Sequence, residues 1–161
     1  MDQALMLLEQ NAKLSASQIA GMTGEEESAV AARIRNYERQ GVILGYHALV
    51  DWDKTDRDVI TAVIELKVEP TPDRGFDRIA EQIYRYPEVD SVMLMSSVGY
   101  DLLLTMKGKT MKEIAYFVAY KLATLEDVKA TATHFVLKKY KDKGSICEPG
   151  HSDEREQSML N

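Results

Sequence analysis

Arg33, Arg35, Asn36 and Arg39 fall within two turns of a segment whose apolar residues, Val30, Ile34 and Tyr37, keep the i, i+4, i+7 spacing of a buried helix face. Guanidinium and carboxamide groups are the side chains whose donors and acceptors match the edges of guanine and adenine. With the apolar face turned inward, the groove-facing positions fall at Ser28, Ala29, Ala32, Arg33 and Asn36, with Arg35 and Arg39 flanking. The small residues among them would let a helix approach base edges closely. Glu25-Glu26-Glu27 stands at the start of the same segment. Carboxylates there stabilise a helix N-terminus by about 0.3–1 kcal/mol each, yet they also set negative charge where a phosphate would lie. The pattern alone leaves this helix open between a DNA-contacting surface and a solvated face.

A second constellation is Ser96-Ser97-Val98-Gly99-Tyr100-Asp101. A carboxylate beside hydroxyls and turn amides suits an amino-acid zwitterion, with the amine on the acid and the carboxylate on N–H groups. The plainer reading is a β-hairpin turn in which Gly99 supplies a positive φ and Tyr100 packs. Other groupings lose their meaning on inspection. Gly108-Lys109-Thr110 ends like a phosphate-binding loop, but position 103 holds leucine where that motif needs glycine. Asp51, Asp53, Asp56 and Asp58 lack the central glycine and closing glutamate of a calcium loop. His47, His134, His151 and Cys147 share no metal-ligand spacing. Lys138-Lys139-Tyr140-Lys141 reads as a solvated strand end rather than a nucleic-acid patch. No nucleophile-base pair, metal site or cofactor is expected, so the chain reads as a binding protein rather than an enzyme.

These groups must be held by some scaffold. The 161 residues are 45% hydrophobic and 29% charged, which suits a globular protein and excludes a wholly disordered or collagen-like one. No apolar run approaches the roughly 18–20 residues that span a bilayer, and the N-terminus lacks a basic signal region. With a single cysteine there is no intrachain disulfide, and a cytoplasmic protein with no membrane partner is expected. The net charge of −6 is unfavourable for a DNA binder until it is divided along the chain. Residues 1–45 carry −2, residues 46–143 carry −1, and the last eighteen residues carry −3.

Three short helices are expected first. Ala4, Leu5, Leu8 and Ala12 form a helical stripe. Ser15 with Gln18 makes a capping box for a second helix from Ala16 to about Met22, which turns Ile19 and Met22 inward. The third runs to Gln40 with Gly41 as its cap, completing a helix-turn-helix pattern. From Val42 the period changes. A β-prone stretch over 42–50 precedes a charged loop, and alternation over 59–68 reads as a strand. A helix over 73–85, strands over 89–96 and 101–106, a helix over 110–123 and a strand from Thr131 to Leu137 or Tyr140 complete the order β-α-β-β-α-β. The fold class is therefore α+β: a three-helix helix-turn-helix followed by a ferredoxin-like βαββαβ sandwich. The expected division is a helix-turn-helix domain over 1–45, a hinge strand and loop over 46–57, a ferredoxin-like domain over 58–143 and a disordered tail over 144–161. Two helices cover only one face of four strands, so the opposite, apolar face is expected to self-associate.

In that frame the chain resembles the Lrp/AsnC family of amino-acid-responsive transcription regulators, from about residue 3 to residue 143. Leu14-Ser15-Ala16-Ser17-Gln18-Ile19-Ala20 looks like the family's second helix, and the run from Arg33 to Ile43 looks like its third helix and exit. Gly45-Tyr46-His47-Ala48-Leu49-Val50-Asp51 resembles the hinge strand, Gly99-Tyr100-Asp101-Leu102-Leu103 the effector-pocket turn, and Thr131 to Leu137 the final strand. Gly24-Glu25-Glu26 replaces the family's usual Gly-Leu-Ser, and Gly99 directly precedes Tyr100 where an acid commonly intervenes. The resemblance implies a sequence-specific regulator whose dimers pair two recognition helices on double-stranded DNA. It also implies assembly into an octamer of four dimers, and a small effector, an amino acid, bound between dimers. The implied effector residues are Ser97, Val98, Gly99, Tyr100 and Asp101, with Thr131 and Thr133 facing the same cavity. Two alternatives remain: an enzyme on the same fold, like the tetrapyrrole-binding sirohaem decarboxylases, or a stand-alone amino-acid-sensing module that binds no DNA.

Overall fold

The computed structural model describes residues 2–147, in two compact units that meet in sequence between Leu49 and Val50. The first unit holds α1 (Gln3–Gln10), α2 (Ala16–Thr23) and α3 (Glu27–Arg39). Each boundary has a local cause. The Asp2 carboxylate accepts the Ala4 N–H at 2.7 Å and starts α1. Ser15 and Gln18 form the reciprocal capping box at 3.1 and 2.9 Å and start α2. After α3, Gly41 turns left-handed at φ 69°, while Val42 N–H bonds Tyr37 O and Gly41 N–H bonds Glu38 O. That pair of bonds is a Schellman closure, which only a residue tolerant of positive φ completes without strain.

Ala4, Leu8, Ile19, Ala20 and Val30 are buried together, with Leu7, Leu14, Ile34 and Ile43 packed against them. Two expectations are corrected here. Met22 is 63% exposed, and Ala20 takes the inward place. The capping box starts α2 so that Ala16, Ile19 and Ala20 face the core, and Met22 falls outside that face. In α1, Leu7 rather than Leu5 packs on the core, and Ala12 is exposed beyond the helix end.

The hinge segment is a further correction. Residues 44–50 form no ladder, although their composition is β-prone. A strand needs a partner for its N–H and C=O groups, and the described residues supply none to them. Leu44, Tyr46, Leu49 and Val50 consequently stand exposed.

The second unit contains β1 (Ile60–Val68), α4 (Asp77–Ile83), β2 (Val89–Leu94), β3 (Leu102–Gly108), α5 (Met111–Phe117) and β4 (Val128–Phe135). The strands form one antiparallel sheet in the order β2-β3-β1-β4. Alternation buries Ala62, Ile64, Leu66 and Val68 from β1 and Leu102, Leu104 and Met106 from β3 beneath Ile79, Ile83, Ile114, Phe117, Val118 and Leu122. The expected single helix over 110–123 is α5 followed by a π-helical turn, Val118–Leu122, closed by Ala123 N–H to Val118 O at 2.8 Å. Ile114, Phe117, Val118 and Leu122 all face inward from α5 and this turn.

The open face of the sheet is mixed rather than apolar. Val63, Leu103 and Met93 share it with the Ser91–Thr105 hydroxyl pair at 2.6 Å and with His134, which lies 3.5 Å from Glu65. The expected tail starts inside a hairpin: β6 (Ser145–Ile146), from that tail, pairs with β5 (Lys141–Asp142) through a two-residue turn. Lys143 and Gly144 hold φ at 42° and 86°, the type I′ geometry that matches strand twist. The remainder of that tail, 148–161, lies outside the described residues.

Gly108 ends β3 where α5 crosses. An added Cβ would stand 2.8 Å from the Ile114 Cγ1, and Ile114 is fully buried. Gly108→Ala is therefore expected to lower unfolding stability by about 1–3 kcal/mol through overpacking. Urea denaturation checks this, and an unchanged midpoint would show that the α5 junction can yield.

Candidate functional site

Helix α3 divides cleanly. Val30 is buried and Ile34 packs on the helical core, so Ser28, Ala32, Arg35 and Arg39 stand on the opposite side and are exposed. Ala29 is exposed on one flank and Asn36, half-buried, lies beside it. Arg39 Nη2 donates to Asn36 Oδ1 at 3.1 Å, which orders two of the candidate DNA-facing groups against each other. Neither Arg35 nor Arg39 has an acidic partner within ion-pair distance among the described residues.

Arg33 is placed differently from the other arginines. Its Nη2 donates to Glu25 Oε1 at 2.8 Å, and its Nε lies 3.2 Å from Asp2 Oδ2. The Tyr37 hydroxyl donates to the same Asp2 oxygen at 2.7 Å. That hydrogen bond is the main reason the Asp2 carboxyl is held below its usual range. Arg33 does the same for Glu25, and Glu25 in turn raises the guanidinium. Of the acidic run at the start of α3, Glu25 thus has a structural task. Asp2 and Glu25 as partners of Arg33, and Tyr37 as the donor to Asp2, are not visible in the sequence pattern. A clue was available for Asp2, since an aspartate before an apolar helical stripe is a cap.

Residues 95–101 join β2 to β3. Met95 N–H bonds Asp101 O at 2.8 Å and Asp101 N–H bonds Leu66 O at 2.9 Å, closing the base of the loop. The Asp101 carboxylate is already committed: Oδ2 accepts Val68 N–H at 2.8 Å and Oδ1 accepts Lys67 Nζ at 3.1 Å. The Val68 N–H, helped by Lys67, outweighs burial and holds this carboxyl below the usual range. Ser97 Oγ accepts from Gly99 N–H at 3.3 Å, Val98 is fully exposed and Tyr100 is half-buried. The amides of Ser97, Val98 and Tyr100 have no intrachain partner among the described residues.

The expected positive φ at Gly99 is not found, because seven connecting residues close the gap without a left-handed corner. A Cβ there would meet nothing within 4 Å. Thr131 and Thr133 pair with Leu66 and Ile64, so they lie on the helix-covered side of the sheet. Thr131 is level with Leu102, one strand removed, and Thr133 lies about 7 Å deeper along β4. The register brings Thr131, but not Thr133, to the loop's end of the sheet. No group of three or more His, Cys, Asp or Glu residues suited to a metal occurs among the described residues.

Comparison with known proteins turns this arrangement into an identity. The profile described as the Lrp/AsnC ligand binding domain matches residues 61–146, just over half of the chain. A Bacillus subtilis protein, the HTH-type transcriptional regulator YugG, is 44% identical over 152 residues, covering 94% of this chain and 91% of that one. The chain belongs to the Lrp/AsnC family. Among solved structures, Escherichia coli AsnC superposes with a TM-score of 0.65 at 17% identity, covering 91% of this chain and 94% of its own. A Neisseria meningitidis transcriptional regulator in complex with L-Met gives 0.68 at 23% identity, covering 88% and 93%. These two carry the fold: three N-terminal helices, then a βαββαβ antiparallel sheet. This Lrp/AsnC chain is a helix-turn-helix, DNA-binding transcriptional regulator with a ligand-binding domain, and the curated relatives it matches are regulators rather than enzymes. That sets aside the tetrapyrrole-enzyme alternative. No helix among the described residues is long and apolar enough to cross a membrane.

Proposed function

We propose that α3 enters the major groove of double-stranded DNA through Ser28, Ala29, Ala32, Arg35, Asn36 and Arg39, and that an amino acid held at residues 97–101 shifts assembly and hence DNA occupancy. The exposed side of α3 carries this reading: three small residues allow close approach, and two guanidinium groups without acidic partners among the described residues flank them. A dimer pairs two such helices on a pseudo-palindromic site, and four dimers assemble into an octamer with the effector between them. The setting is the cytoplasm. One protein of the same fold is in complex with L-Met, which supports an amino acid as the effector class.

The loop supports the sensing half. The unpaired amides of Ser97, Val98 and Tyr100 suit a carboxylate, while Asp101 shapes the loop from its base. A ligand changes assembly only by binding one state more tightly than another. Sedimentation velocity with a panel of the common amino acids is expected to show one that redistributes dimers and larger species. A distribution unchanged by every amino acid would remove the sensing half.

Gly99 sharpens the test. The lone chain imposes neither a φ nor a packing demand on it, so Gly99→Ala is expected to leave the unfolding midpoint within about 0.5 kcal/mol of wild type. If a ligand or a neighbouring subunit approaches this backbone closely, the same methyl weakens the effector response at least about tenfold, as read by titration calorimetry. Equal response in both proteins would place the ligand elsewhere.

A further inference from the structure

The arginine that sequence spacing places among the base readers is the one whose charge the fold consumes. Arg33 bridges three elements: α3, which carries it, the start of α1 through Asp2, and the α2–α3 turn through Glu25. Tyr37, one turn further along α3, donates to the same Asp2 oxygen at 2.7 Å, and the Ala4 N–H holds its second oxygen, also at 2.7 Å. Only a third of the Arg33 side chain is exposed, and Nε, shielded from solvent, meets Asp2 as an ion pair without a hydrogen bond. One cation faces two carboxylates, so the cluster offers no net positive charge to DNA. Reaching a base edge would break both ion pairs and leave Asp2 half-buried beside a tyrosine. Among the described residues, nothing comparable restrains Arg35.

We propose that Arg33 is a positioning residue for DNA recognition: through Asp2 and Glu25 it sets the angle of α3 against α1 and the turn, and the sequence-reading cations are Arg35 and Arg39. The proposal rests on α3 being the reading helix. Positioning and reading leave different marks. A residue that reads a base loses discrimination at that base when it is removed, whereas one that orients the helix lowers affinity for every sequence by a similar factor. A residue acting through Asp2 must also couple to it, so removing both costs no more than removing one.

The test measures DNA affinity of the full chain by fluorescence anisotropy on its own promoter region and on a panel of single-base variants of the bound site. Arg33→Ala, Asp2→Ala, their double variant, Tyr37→Phe and Arg35→Ala are compared. Arg33→Ala and Asp2→Ala are expected to weaken binding about tenfold or more on every duplex, with the ranking of duplexes kept and the double variant no worse than the weaker single. Tyr37→Phe, which removes one hydroxyl and keeps the ring, is expected to weaken all duplexes by about three- to tenfold. It keeps the proposal testable should the alanine variants unfold. Arg35→Ala instead flattens the preference at particular base pairs. Flattened discrimination in Arg33→Ala, or additive effects of Asp2→Ala and Arg33→Ala, or wild-type binding by Tyr37→Phe would overturn the proposal while leaving α3 as the reading helix. Absence of salt-sensitive binding by the wild-type chain would instead bring down the reading of α3, and this proposal with it.

Discussion

Replacing Arg35 and Arg39 together by alanine is expected to weaken DNA binding by at least about two orders of magnitude while leaving the helical fold intact. Both side chains are exposed on the side of α3 opposite Val30, and neither forms an ion pair among the described residues. A well-placed guanidinium on a base edge contributes roughly 1–3 kcal/mol of discrimination, and one on a phosphate contributes through counterion release. The proposed dimer would present each arginine twice, so the double substitution would remove four cations per bound site. The slope of log K against log salt is expected to flatten by about 0.9 for each phosphate left without its arginine. Stability should change little, because the core of the helical unit is Ala4, Leu8, Ile19, Ala20 and Val30. Circular dichroism and anisotropy on one preparation separate the two effects. Undiminished affinity would mean that another surface holds the DNA.

Asp101→Ala is the second large effect, and it falls on the sensing unit. The substitution leaves the part-buried Val68 N–H without its 2.8 Å acceptor and frees Lys67. An unsatisfied buried donor costs about 1–3 kcal/mol. The loop over residues 96–100 would lose the side-chain half of its anchor while keeping the Asp101 N–H to Leu66 O bond. Urea unfolding should show the loss of stability, and titration calorimetry should show effector affinity falling with it. Asp101→Asn keeps an acceptor for Val68 and should retain more of the stability. The pH dependence has a definite sign. The Asp101 carboxyl is held below its unfolded value of about 3.9, so its contribution is full above that value and disappears as pH falls through the lower, folded value. Between pH 7 and pH 5 this group contributes no slope. Below about pH 4, wild type should lose stability more steeply than Asp101→Asn, and parallel curves would contradict the anchor role.

Periodicity and local chemistry made most of the architecture legible. Ser15 with Gln18 announced α2, Gly41 announced the end of α3, and Ile60, Ala62, Ile64, Leu66 and Val68 announced a strand with one buried face. Each of those signals sits within a few residues of the structure it specifies. The features that escaped depend on partners distant in sequence. Arg33 and Asp2 are thirty-one positions apart and share no period, so spacing on α3 alone placed Arg33 among the readers. Asp101 looked free to bind an amine because its acceptor role toward Val68 arises only when β1 and β3 pair. Thr131 and Thr133 alternate correctly, but only the register with β1 shows which side of the sheet they take. The hinge residues have strand composition without a strand partner among the described residues, and Gly99 needs no left-handed turn because the longer loop closes without one.

The acidic balance also takes on a different meaning. Of the acids near α3, Glu25 and Asp2 are bound to Arg33, so they orient a cation rather than oppose DNA. Glu26 and Glu27 remain exposed at the helix N-terminus. The arginines that stay available are few, which makes multivalent binding by an assembly the natural source of affinity.

Recognition of DNA through α3 under amino-acid control is tested most directly by fluorescence anisotropy of the full chain on duplex DNA from its own promoter region, across a salt series, with and without each common amino acid. Binding is expected to weaken with salt, and at least one amino acid is expected to shift the affinity. Binding that no amino acid alters would contradict the sensing role, and no salt-sensitive binding under any condition would contradict DNA recognition through α3.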